Sequence, residues 1–304
     1  MNWKFKNFIQ HFLSKLPDGD VIYYFLQSHY GGFRHFDVKS KLFQGIRMLN
    51  GLNDINISIK DKTTLEIGTG WVPIIPMFFY ILGQFSCYSF DIKHLIKPKL
   101  CLDAAQQLAS LANYLQTTVP WAYDYHTPNR LRKLGENYQN VDELFKEIGL
   151  TYQAPIDDIR TINRENSIDL LFSNTTLEHI HPDEISILLR KSKAVLAENG
   201  VMVHLIDCSD HFNHGQRTLS KVNFLRYSED SWKKYNSEFL YQNRLRASDY
   251  LKLFSEQGYK INYWKQKVDQ ELLLSIDSFP LDQKYRNYSK EDLCTTHVLV
   301  VASA

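Results

Sequence analysis

Cysteine is scarce in this sequence and never paired at short spacing. The four thiols, Cys87, Cys101, Cys208 and Cys294, show no C-x-x-C pattern. That argues against a disulfide framework or a zinc site of ordinary ligand spacing, and favours a reducing cytoplasm. An excess of one charge is missing too: 35 basic residues face 34 acidic ones, for a net of +1. No global field therefore steers the chain to nucleic acid. Long apolar runs are absent as well. The longest, Trp71 to Phe85, is too short to span a bilayer and carries Pro73 and Pro76. Lys4, Lys6, His11 and Lys15 break the first apolar stretch, so no secretory signal is expected. Internal repeats and low-complexity tracts are lacking.

What is present suffices for one large core, or a domain with a cap: 304 residues, 44% hydrophobic and 23% charged. Near the start, Trp3, Phe5, Phe8, Ile9, Phe12, Leu13 and Leu16 recur at near-helical spacing among lysines. They read as an amphipathic helix packed on its own domain, with a membrane surface as the alternative. The pattern stays helical to about residue 60, interrupted at Asn50-Gly51, and is read as a cap over 1–60. Strand and helix patterns then alternate over 61–304. Thr63 to Ile67, Cys87 to Ile92, Ile168 to Asn174, Val201 to Ile206, Lys260 to Trp264 and His297 to Ala302 read as strands. Trp71 to Gly83 is a loop and helix. A segment at about 93–150 reads as an insertion with helical patterns at Ala104 to Leu115 and Val141 to Ile148, around an ordered loop, TTVPWAYDYHTPNR. Pro182 opens a helix expected to run through Leu196 to Gly200, and Asp249 to Gln257 is another, stopped by Gly258. The alternation predicts an α/β sandwich on a mostly parallel sheet.

In such a sheet, ligands bind beyond the carboxyl ends of the strands. Three polar groups fall there: Gly68-Thr69-Gly70 in LEIGTGWVPIIP, Asp91, and Ser173-Asn174. Gly68 and Gly70 allow a tight turn with amides exposed to an anion, and Asp91 offers two oxygens to a vicinal diol. A dinucleotide loop, G-x-G-x-x-G, needs glycine at position 73, which is Pro73. A smaller ligand, with one carboxylate and one nucleoside, fits what remains.

Glu66-Ile67-Gly68-Thr69-Gly70 resembles the E-x-G-x-G first motif of class I S-adenosylmethionine-dependent methyltransferases. A third glycine common in that family is replaced by Val72. The resemblance covers roughly residues 60 to 304 and includes LEHI after the fourth strand. HLIDCSDHF, NFLRYSEDSW and NRLRASDYL are similar to stretches of uncharacterised bacterial members acting on small molecules. It implies a Rossmann-like, mostly parallel seven-stranded sheet, helices on both faces, and a late antiparallel strand. It implies S-adenosyl-L-methionine as cofactor, with Glu66, Gly68, Thr69 and Gly70 around its methionine part and Asp91 on its ribose. Asp157, or its neighbour Asp158, would meet the adenine amino group, and Asn174 belongs to the same cofactor set. No N/D-P-P-Y/F block ends the fourth strand, which disfavours methylation of nucleobase or glutamine amino groups.

Oxygen methylation gains from a general base titrating near neutrality. His179 and His211 follow the fourth and fifth strands, with Asp207 or Asp210 placed to orient His211. A packing role is the alternative for each, and His204, inside a strand, reads as packed. Asp207, Asp210, His211 and His214 could bind a metal, yet no recognised spacing supports that, and none is expected. Arg226, Arg244 and Arg246 could meet an anionic acceptor, or cover helix surfaces. Trp71, Trp121, Tyr123, Tyr125 and Trp232 could line its pocket or belong to the core. The reading is methyl transfer at oxygen to a small molecule, with anionic and glycan- or lipid-linked acceptors among the candidates. Its rivals are a nicotinamide-dependent reductase and a non-catalytic protein binding a partner or lipid surface.

Overall fold

The computed structural model describes residues 36–156, 158–162, 167–236 and 241–304. The amphipathic N-terminal stretch and Asp157 lie outside the described residues. The strands are β1 (Thr63–Ile67), β2 (Ser86–Phe90), β3 (Leu150–Gln153), β4 (Ile168–Asn174), β5 (Leu196–Asp207), β6 (Lys260–Val268) and β7 (Thr295–Ser303). They form one sheet in the order β3-β2-β1-β4-β5-β7-β6. Every pairing is parallel except those of β7, which runs antiparallel to β5 and β6. This is the Rossmann-like, seven-stranded arrangement expected of class I methyltransferases, with its late reversed strand.

The helices are α1 (Val38–Asn53), α2 (Ile74–Ile81), α3 (Pro98–Ala109), α4 (Ala112–Thr118), α5 (Thr127–Leu134) and α6 (Val141–Glu147). They continue with α7 (Pro182–Ser192), α8 (His211–Gly215), α9 (Glu229–Lys233), α10 (Ala247–Glu256), α11 (Gln270–Ser275) and α12 (Lys290–Leu293). Period-two alternation in β5 divides the core. Val201, Val203 and Leu205 pack with α1 to α6, while Met202 and Ile206 pack with α7 and α10. Every residue of α2 is buried, and Val72 before it is 5% exposed. The Trp-Val-Pro that replaces a third glycine thus leads the chain into a fully enclosed helix, and Pro73 caps it.

Three expectations are corrected. Asn50-Gly51 does not interrupt α1; a Cβ on Gly51 would lie 2.9 Å from Leu299 Cδ2, so glycine lets the helix rest against β7. The helix from Pro182 ends at Ser192, and Gly200 lies inside β5, where a Cβ would stand 2.7 Å from Ile168 O. Part of the presumed loop within 93–150 is helical, and β3 is the seventh strand of the expected sheet, at an edge position that the sequence pattern does not mark.

A third cluster, with Phe224, Trp232, Ile276, Tyr285 and Leu293, gathers the chain after β5 and between β6 and β7. Arg244 and Arg246 are buried there, so neither covers a helix surface or faces an acceptor. Arg244 donates to Phe224 O and Tyr227 O and pairs with Glu229 at 2.9 Å. Arg246, wholly buried, donates to the carbonyls of Cys208, Asp292, Leu293 and Thr295. All four cysteines are buried free thiols. Among the described residues, no helix is long and apolar enough to cross a membrane.

Candidate functional site

The carboxyl ends of β1, β2, β4 and β5 meet at one edge of the sheet. After β1 the chain turns through Gly68 (φ +77°) and Gly70 (φ +69°), backbone that L side chains rarely adopt. The two glycines have different reasons. A Cβ on Gly68 would strike the Thr176 side chain at 2.4 Å, whereas at Gly70 nothing lies within 4 Å. Gly68 is tight against β4's end, and Gly70 borders open space.

Asp91, after β2, fixes that bend. Its Oδ2 accepts from Gly70 N at 2.9 Å and its Oδ1 from Ile92 N at 2.8 Å. Burial raises its pKa, opposed by these amides. Each oxygen retains lone-pair capacity for a further donor. Thr69 turns inward, where its hydroxyl pairs with Ser89 Oγ, and Ser89 Oγ donates to Glu66 Oε2 at 2.7 Å.

Glu66 is 4% exposed, and burial pushes its carboxyl up to about 7 against the Ser89 and Thr69 hydrogen bonds. A folded-state pKa above the ordinary 4.5 means that ionising Glu66 weakens the fold. The penalty is absent below pH 4.5, grows through the window, and is complete above about pH 7. At about 1.4 kcal/mol per pKa unit it is on the order of 3 kcal/mol. Glu66→Gln should therefore stabilise the protein in urea unfolding at pH 8 and hardly at all at pH 5; an equal gain at both would contradict the assignment.

Beyond β4, Asn174 Nδ2 donates to Gln44 Oε1 of α1 at 2.9 Å, leaving its buried Oδ1 without a partner. Thr175 follows at φ +52°, and a short turn carries Leu177, Glu178 and His179. Glu178 is 1% exposed, and neither carboxylate oxygen has a hydrogen-bond partner. His179 Nδ1 and Tyr241 O lie 2.7 Å apart. Crowding by its neighbours, then the charge of His211, pushes His179 down to about 4, an effect that the exposure of the residue to solvent opposes.

Beyond β5, Asp207 Oδ1 accepts from Ser209 N and Oγ. Its Oδ2 faces three imidazoles: His211 Nε2 at 3.5 Å, His214 Nε2 at 3.7 Å and His297 Nε2 at 4.0 Å. Asp207 is the carboxylate that faces His211. Asp210 instead caps α8, accepting from Phe212 N at 2.8 Å. His204 is packed as expected, its Nδ1 paired with Ser173 Oγ at 2.7 Å, and burial depresses it to about 3.

Lys41 of α1 enters this space, donating to Thr175 Oγ1 at 3.3 Å. Desolvation lowers its pKa, against the opposing fields of Glu178, Asp207 and Glu66. Its approach from a separate helix leaves no local signal in sequence. His297, on β7, is equally remote in the chain.

Other expected groups do not converge. Asp158 is tied to Arg160 at 2.6 Å and Lys191 at 3.0 Å. Trp121 and Tyr125 are exposed, Trp232 belongs to the third cluster, and Arg226 is exposed beside the Tyr227 ring. A cavity of about 420 Å³, lined by Ile276, Phe279, Pro280 and Leu281, lies in the third cluster, apart from the strand ends.

No family model matches the chain, and no curated protein does. Solved structures of similar outline include an S-adenosylmethionine-dependent methyltransferase from Mesorhizobium loti, at 14% identity and TM-score 0.43, covering 83% of this chain and 95% of that one. A second, from Leishmania major, is a methyltransferase dependent on the same cofactor (11% identity, TM-score 0.44, 99% and 83% coverage). A third is a geranyl diphosphate C-methyltransferase from Streptomyces coelicolor, solved with Mg2+, geranyl diphosphate and S-adenosylhomocysteine (13% identity, TM-score 0.46, 86% and 79% coverage). These likenesses are too distant to assign a chemistry to the site.

Proposed function

We propose that this protein transfers a methyl group from S-adenosylmethionine to a small-molecule hydroxyl. The observation that carries the reading is the bend at Gly70: its amide is fixed by Asp91, and the place where a side chain would stand is open. An acid at the end of β1, an acid at the end of β2 and a glycine bend between them match the cofactor's three needs. Glu66 lies behind the bend, in reach of the field of an amino-acid ammonium, which explains keeping a carboxylate whose burial weakens the fold. Asp91 offers its free lone pairs to a sugar diol. Asn174 Oδ1, buried and unpartnered, can accept one further N–H. Asp157 is proposed for the adenine end.

Bound there, the cofactor supplies a methyl group on a positively charged sulfur, ready for in-line displacement. The protein's task is then to place the acceptor oxygen, exclude water and take the proton. Residues 1–60 and 93–150 are proposed as the cap over the acceptor. His179, with Nδ1 against a carbonyl and its pKa depressed, is a poor base near neutrality. The imidazoles around Asp207 are oriented by a carboxylate: His211 Nε2 and His214 Nε2 stand 3.5 and 3.7 Å from its Oδ2, although burial and then neighbouring His211 lower the pKa of His214. Arg244 and Arg246, both committed to carbonyls, give no support to an anionic acceptor. Four free buried thiols favour a reducing, cytoplasmic location.

Calorimetric titration with S-adenosylhomocysteine tests the reading, with NADH as control. Binding of one equivalent at micromolar affinity and no heat from NADH is the expected result; the reverse pattern would establish the reductase instead.

A further inference from the structure

We propose that Glu178, His179 and His211 form a binding site for a single divalent first-row transition-metal cation. One donor atom from each of the three lies within 4.8 Å of the others, close enough to surround one ion after small side-chain movements. The donors arrive from two directions, Glu178 and His179 from the turn after β4 and His211 from the start of α8.

The independent observation is the state of Glu178. Its carboxylate is enclosed, neither oxygen has a hydrogen-bond partner of ordinary distance and angle, and no ion pair reaches it among the described residues; the amides of Glu178 and Asp207 and the buried ammonium of Lys41 act on it only through their fields, and burial outweighs them. A buried charge without a partner is strongly unfavourable, so a carboxylate held this way needs a cation or a proton. Lys41 is nearby but donates to Thr175, not to Glu178. His211 Nε2 is likewise buried without a hydrogen-bond partner, 3.5 Å from Asp207 Oδ2. His179 is arranged as metal-bound imidazoles usually are: its Nδ1 donates to the Tyr241 carbonyl at 2.7 Å, which leaves the Nε2 lone pair free.

Two imidazoles and a carboxylate suit Mn2+, Fe2+, Co2+ or Zn2+ better than Mg2+ or Ca2+, which favour oxygen alone. The role of the ion, unlike its binding, rests on the proposed methyl transfer. The acceptor hydroxyl would bind the ion and lose its proton more readily. The O–H proton would then pass to water, the oxygen forms its bond to the methyl carbon, and the bond from that carbon to sulfur breaks with its electrons left on sulfur. His211 is a ligand in this scheme and not the base.

The test needs neither cofactor nor acceptor. Full-length, metal-stripped protein is titrated with Mn2+, Co2+, Zn2+ and Mg2+ by calorimetry, and Co2+ binding is also followed by its visible absorption. One equivalent of a transition ion should bind, Mg2+ far more weakly. Glu178→Gln and His211→Ala should each weaken binding at least ~100-fold, since even partners of ligands are worth 10–100-fold, with melting curves confirming that both variants fold. No transition-ion binding, or affinity indifferent to both substitutions, overturns the site. Glu178→Gln that stabilises a protein unable to bind metal identifies a protonated carboxyl instead and also overturns it. Wild-type affinity for S-adenosylhomocysteine, measured on the same samples, reports on the methyltransferase reading separately.

Discussion

Gly70→Ala should leave the protein folded and nearly abolish cofactor binding. No atom lies within 4 Å of the position its methyl group would take, so the cost to the free protein is only that of a left-handed backbone. That is about 1–2 kcal/mol for an L residue. The proposed ligand, by contrast, would occupy the open side of the bend. A methyl group there displaces it and disturbs the amide held by Asp91, so affinity for S-adenosylhomocysteine should fall at least ~100-fold, or about 2.7 kcal/mol. Gly68→Ala gives the contrast: its methyl group would strike Thr176 even in the free protein, so stability should suffer as well. Calorimetry paired with urea unfolding separates the two. If Gly70→Ala bound the cofactor normally, the space beside it would not be the ligand's.

Arg246→Ala should produce the largest loss of stability. The guanidinium is fully buried, and its N–H groups reach four backbone carbonyls that join β5, β7 and α12: Cys208 at 2.7 Å, Asp292 at 3.1 Å, Leu293 at 3.2 Å, and Thr295. Removing it orphans those carbonyls, each worth about 1–3 kcal/mol when left unmet, and opens a cavity besides. Allowing for relaxation and water entry, we expect a loss of about 4 kcal/mol in urea unfolding. Arg246→Lys should recover little, because one ammonium cannot span the carbonyls that the planar fork reaches. A loss below about 1 kcal/mol would contradict this account.

Both substitutions show what the sequence could and could not convey. The glycine bend and Asp91 were legible because local chemistry explains them: a strand, a turn that requires positive φ, and an acid at the next strand's tip. The parallel sheet was legible from alternating apolar runs. Arg246 was not, since nothing in NRLRASDYL tells a carbonyl clamp from a surface arginine until the chain folds over it. β3 escaped because LTYQ is short and buries only one residue fully, so it carries no clear alternation. Glu178 was quoted as part of a motif, but its lack of partners is a tertiary fact. Lys41 and His297 reach the site from α1 and β7, far away in the chain. Groups set by one local segment could be read, whereas groups brought together by the fold could not.

The most direct measurement is the titration of S-adenosylhomocysteine into the wild-type protein and Asp91→Ala side by side. The account predicts micromolar binding by the wild type and a loss of about 100-fold in the variant, the energy of hydrogen bonds to a charged acceptor together with the released Gly70 amide. Equal affinity in the two proteins would contradict it.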